Sequence, residues 1–103
     1  MSTRDLTIKT NVLKRLAKEK IFYEKEKVAQ EAKIEAMIVA DPDNYDIKKQ
    51  REVLDETLDM FPDLERRTLA AREDLAKIVN TCPPDLRSSK EYEDAVQMLE
   101  AHE

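Results

Sequence analysis

Apolar residues recur along the chain at alternating steps of three and four, the spacing of one helix face, and two proline-containing stretches cut this pattern into three parts. Asp41-Pro42-Asp43-Asn44 reads as a turn, because each of these residues favours turns or helix starts. Cys82-Pro83-Pro84-Asp85 is the second break, since consecutive prolines cannot continue a helix. The pattern predicts helices over roughly 4–40, 45–80 and 88–102.

The first segment carries a seven-residue repeat from Leu13, with inward positions Leu13, Leu16, Lys20, Tyr23, Lys27, Gln30, Ile34 and Met37. Both ends of that stripe are apolar and its middle is polar. The second segment continues the theme with Ile47, Gln50, Leu54, Thr57, Phe61, Leu64, Thr68, Ala71, Leu75 and Ile78. Its stripe keeps register across Pro62, which predicts one kinked helix in preference to two separate ones. A short turn makes the two segments antiparallel neighbours, each on the order of 50 Å long.

The third segment opens on Ser88 and Glu91, the spacing of a capping box, and presents Tyr92, Ala95, Val96 and Leu99 on one face. It is short enough to cover only the half of the hairpin near Leu13, Leu16, Leu75 and Ile78. The half near the Asp41–Asn44 turn is expected to be thinly cored and looser. The fold class expected is all-α: an elongated antiparallel three-helix bundle, a coiled-coil-like rod with a shorter third helix, in a single domain over 1–103.

Composition narrows the function. None of the 103 residues is Gly, which removes phosphate-cradling loops and dinucleotide fingerprints. Charged residues make up 40% and aromatics 5%, too polar for a deep globular core but suited to narrow buried stripes. The net charge of −5 argues against nucleic acid as the main partner. The sign is uneven: residues 1–40 carry +3 and residues 41–103 carry −8, which favours packing them side by side. Cys82 is the one cysteine, so no internal disulfide can form, and with no signal-peptide pattern the expected compartment is the cytosol. No apolar run suits a membrane span.

The search for chemistry finds no catalytic constellation. His102 is the one histidine, and it lies near the chain end, so no converging set of metal ligands is in view. The acidic turn at Asp41 lacks the Gly of a calcium loop and contains Pro42. Cys82 has no histidine partner and reads as a structural cysteine. The basic residues of the first segment already have opposite charges four residues on, in Arg15–Glu19, Lys20–Glu24 and Lys27–Glu31. Ile21, Phe22 and Val28, with Leu69 on the second segment, fall outside the core stripe and are candidates for a partner surface. The reading is a non-enzyme that works by holding another protein.

Several runs carry a family resemblance. Lys14-Arg15-Leu16, Lys18-Glu19-Lys20, Tyr23-Glu24-Lys25-Glu26 and Lys33-Ile34-Glu35 follow in order along the first segment. Asn44-Tyr45-Asp46-Ile47-Lys48-Lys49-Gln50 opens the second, and Pro62-Asp63 with Arg66-Arg67 completes the set. From about Ile8 to Leu99 the chain resembles the tubulin-binding cofactor A (tubulin-specific chaperone A) family. The resemblance implies a cytoplasmic, cytoskeleton-associated chaperone that captures β-tubulin folding intermediates after the chaperonin and holds them for heterodimer assembly. It implies no nucleotide, metal or other cofactor, and contact with other tubulin-folding cofactors only through the client. Pro42 and Pro83-Pro84 depart from the family's pattern in turns where that family varies. Phe22, Tyr23, Tyr45 and Lys48 are the candidate partner contacts, and Tyr23 also suits the core.

Two other readings compete. A self-associating coiled-coil adaptor would use the polar stripe residues Lys20, Lys27 and Gln30 to set its register, whereas the chaperone reading favours a monomer over a homodimer. A nucleic-acid binder would use the basic first segment and show steep salt dependence.

Overall fold

The computed structural model describes residues 2–102, and all regular structure within them is helical. Helix α1 spans Thr3–Ala40, α2 Asp46–Leu58, α3 Met60–Asn80 and α4 Lys90–Ala101, with a single 3-10 turn at Pro84–Leu86. No described residue has positive φ, so both chain reversals are made without left-handed backbone.

Each helix start has a local cause. At the head of α1 the Ser2 amide and hydroxyl both donate to the Asp5 carboxylate, at 3.1 and 3.2 Å, and Asp5 returns its amide to the Ser2 carbonyl. In the first reversal the Asp41 side chain accepts from the Asp43 amide at 3.1 Å, and the Asn44 side chain accepts from the Asp46 amide at 2.9 Å. These are the short-range bonds that make Asp and Asn turn residues. Tyr45 thus lies between the capping Asn44 and the first residue of α2, with helical dihedrals and no capping bond of its own.

Two expectations are corrected. The second segment is not assigned as one helix: α2 ends at Leu58 and α3 begins at Met60, although the Asp59 amide between them still donates to the Asp55 carbonyl at 2.9 Å. Pro62 then falls in the first turn of α3, where a missing backbone donor leaves nothing unsatisfied. Asp59 keeps helical dihedrals, φ −66° and ψ −17°, so the junction is a local one and the chain runs through it in helical conformation. The cap of α4 is Ser89, not Ser88. The turn that begins at Pro84 carries the chain through Ser88, and Ser89 is the residue with extended backbone, ψ 154°, before the helix. Its hydroxyl accepts from the Tyr92 amide at 3.2 Å and donates to the Leu86 carbonyl at 2.6 Å. The residue three on is then Tyr92, which cannot return the reciprocal bond expected of Glu91.

Two compact units divide the chain. One joins the residues up to Lys18 with those from Glu65 onward. Its core is deep: Leu6, Leu13, Leu75 and Ala95 are fully buried, and Leu16 and Cys82 nearly so. The Arg72 guanidinium donates to the His102 carbonyl at 2.8 Å and ties the end of α4 to α3. The exposed Lys9–Asp74 pair, at 3.8 Å, adds little to stability. Leu6 and Thr10 extend the α1 stripe ahead of Leu13, where the sequence reading began it.

The second unit spans Glu19–Leu64 and is thinly cored, as expected for the turn-proximal part. Its buried apolar residues are Ile34, Ile47 and Leu64. Between them the Gln30 side-chain amide donates to both the backbone and side-chain oxygens of Gln50, at 2.9 and 3.0 Å. Gln50 in turn donates to Asp46 at 3.2 Å. A polar stripe position that could have set the register of a dimer is engaged within the chain.

Candidate partner-binding surface

All four candidate contact residues lie in the second unit, and they fall into two groups. Phe22 and Tyr23 pack edge to face on α1, with ring centroids 5.3 Å apart and planes at 75°. Phe22 is 57% exposed, while Tyr23, at a stripe position, is half-buried. Tyr45 and Lys48 stand one turn apart at the start of α2, and Tyr45 is 94% exposed. The Gln30–Gln50 bonds set the register of the two antiparallel helices. In that register Lys48 lies level with Ala32, about 15 Å along the axis from Phe22. A partner touching both groups spans at least that length.

The other residues singled out from the pattern are also exposed: Ile21 at 53%, Val28 at 65% and Leu69 at 56%. The spacing that picks out Ile21 and Val28 continues to Val39, at 77%, which the sequence reading does not single out. The signal was available: the same alternation of four and three residues runs on through Ala32 and Glu35.

A depression in this unit is lined by Glu31, Ile34, Glu35, Arg51, Leu54 and Asp55, which include no Ser, Thr, Cys, Lys or His. Among the described residues no group of His, Cys, Asp and Glu could hold a metal, and no helix is long and apolar enough to cross a membrane. Such a surface can present apolar and charged side chains to a second macromolecule.

Comparison with known proteins gives a consistent result. The family model described as "Tubulin binding cofactor A" matches residues 1–99. The human protein "Tubulin-specific chaperone A" is 49% identical over 98 residues, covering 95% of this chain and 90% of its own length. The solved structure of "human tubulin chaperone cofactor a" superposes with a TM-score of 0.80 at 46% identity, covering 96% of this chain and 95% of that one. A crystal structure of tubulin folding cofactor A from Arabidopsis thaliana also reaches 0.80, at 35% identity, covering 96% and 92%.

Proposed function

The chain belongs to the tubulin binding cofactor A family, and on that premise we propose that it is a tubulin-folding chaperone that captures β-tubulin folding intermediates and holds them for assembly with α-tubulin. The observation that carries this reading is the 49% identity to a tubulin-specific chaperone, sustained over 95% of the chain. Identity of that extent reaches surface positions as well as the buried stripe, and surface positions are where a client is read.

Physical features support a holding role. Phe22 with Tyr23, and Tyr45 with Lys48, offer aromatic and charged contacts on rigid helices, the residue types that dominate protein interfaces. Charge on the helix flanks speeds encounter, while a modest apolar area keeps the lifetime of the complex short enough for release. The site of action is the cytoplasm, beside the microtubule cytoskeleton, and the working form in dilute solution is a monomer that needs no nucleotide or metal.

The test is a pull-down from cell lysate with the purified chain, with size-exclusion light scattering of the bait alongside. Capture of β-tubulin without α-tubulin by a monomeric bait is the expected result. No tubulin on a bait of dimeric mass would replace this reading with the self-associating adaptor.

A further inference from the structure

Ser88 and Glu91 have the spacing of a capping box, but the fold gives the cap to Ser89 and leaves this pair unused. Ser88 is exposed, in the turn between the 3-10 segment and α4, and its hydroxyl has no hydrogen-bond partner among the described residues. The Glu91 carboxylate likewise has no ion pair or hydrogen bond among them.

An acid three residues after a hydroxyl occurs at one other place in the chain, Ser2 with Asp5. There the structure uses it: the amide and hydroxyl of Ser2 both donate to the Asp5 carboxylate. Other hydroxyls are engaged or hidden. Thr7, Thr57 and Thr81 each donate to the carbonyl four residues back, Ser89 donates to Leu86, and Thr10 is buried.

Acids continue beyond Glu91 at Glu93 and Asp94, both exposed, and Asp85 lies three residues ahead of Ser88. Ser-x-x-Glu followed by further acids is the charge pattern that an acidophilic serine/threonine kinase reads with basic side chains of its own. Two basic residues interrupt the pattern, and both are engaged. The Lys90 ammonium lies 3.4 Å from Asp94, and the Arg87 guanidinium donates to the Cys82 carbonyl at 3.2 Å.

We propose that Ser88 is a phosphorylation site for a kinase of that class, and that the phosphate strengthens the start of α4. A protein kinase takes its acceptor as extended chain. Ser88 already lies outside the helices, and two bonds tie the first turn of α4 back to its cap, from the Tyr92 and Glu93 amides to Ser89. Opening that turn costs little, as at helix ends generally, and it frees Glu91, which is half-buried in the folded chain. The kinase's catalytic aspartate accepts the Ser88 hydroxyl proton as the oxygen bonds to the γ-phosphorus of Mg-ATP. The bond from that phosphorus to the β-phosphate oxygen breaks, leaving ADP and a serine phosphate monoester. When the turn recloses, the phosphate stands beside the Lys90 and Glu91 amides, the first two of α4. Neither amide has an acceptor among the described residues. A dianion is favourable at that end of a helix, and Glu91 and Glu93 reduce the gain without reversing it. None of this rests on the client reading.

The test incubates the full chain with Mg-ATP and a purified kinase that selects an acid three residues after its acceptor, and reads the product by mass spectrometry. One phosphoryl group per chain, on Ser88, is the expected result, with none after Ser88→Ala. Glu91→Gln should lower the kinase's kcat/KM for the chain by about tenfold. Ser89→Ala, which removes the cap but keeps the motif, should not slow the modification. The phosphorylated chain should melt about 3 °C above the unmodified one. No incorporation, phosphate on Ser2 or another hydroxyl in place of Ser88, or a rate indifferent to Glu91→Gln would each overturn the site. An unchanged or lowered Tm would overturn the role at the helix start.

Discussion

Gln30 gives its side-chain amide to Gln50 twice, to the backbone oxygen at 2.9 Å and to the side-chain oxygen at 3.0 Å. The pair sits where the core stripe turns polar, between Ile34 with Ile47 on one side and Leu64 on the other. It joins α1 to α2 through directional bonds where apolar burial is thin. Gln50 extends the connection to Asp46, whose own amide is capped by Asn44, so the inter-helix bond and the helix start are one network.

Gln30→Ala should therefore destabilise the chain by about 1–2 kcal/mol, since it removes both bonds and leaves the half-buried side-chain oxygen of Gln50 without a donor. Urea denaturation followed by circular dichroism measures the loss. A change within experimental error would mean that water replaces the bonds at no cost.

Thr10 has the opposite sign. It is 6% exposed, and its hydroxyl has no hydrogen-bond partner among the described residues. Thr10→Val keeps the shape and removes the stranded polar group, so it should stabilise the fold by about 1 kcal/mol. A thermal melt showing a lowered Tm would contradict this.

The two neighbouring serines before α4 should behave differently. Ser89→Ala removes the cap on Tyr92 and the bond to the Leu86 carbonyl and should cost about 1 kcal/mol. Ser88→Ala, at an exposed position, should stay within about 0.5 kcal/mol of wild type. Equal effects in denaturant titrations would place the cap elsewhere.

For client binding, Phe22→Ala and Lys48→Glu should each weaken β-tubulin capture by about tenfold while leaving helicity intact. Because the two groups are about 15 Å apart along the helices, their effects should multiply in the double variant. Binding titrations against β-tubulin decide this, and a variant that captures like wild type removes its residue from the site.

Burial was legible wherever it depends only on helical period. Leu13, Leu16, Ala71 and Leu75 lie in the predicted stripe and are buried. The same period, read outward, identifies Ile21, Phe22 and Val28 as exposed. Its limits lie at the ends and breaks. Leu6 and Thr10 belong to the stripe but precede the residue from which it was counted. α3 begins at Met60, just ahead of Pro62, so that the proline falls in a first turn; this and a kinked single helix are two geometries that conserve the same stripe. Ser88 and Ser89 differ only in which of them the preceding 3-10 turn leaves extended. Tyr45 and Lys48 came from family resemblance alone, since no periodicity distinguishes an exposed contact residue from an exposed bystander.

The absence of left-handed backbone has a bearing on how these chains can vary. A reversal that depends on a glycine at positive φ admits almost no substitute there. Here both reversals run through dihedrals open to any L-amino acid, and what holds them is a few side-chain acceptors: Asp41, Asn44 and Ser89. The remaining loop positions carry no stereochemical veto. Substitution at 42, 43 or 88 therefore costs the fold little so long as those acceptors stay, whereas Arg87, whose guanidinium donates to the Cys82 carbonyl at 3.2 Å, holds the second reversal with them; positions 42, 43 and 88 are natural places to attach a probe without disturbing either helical face.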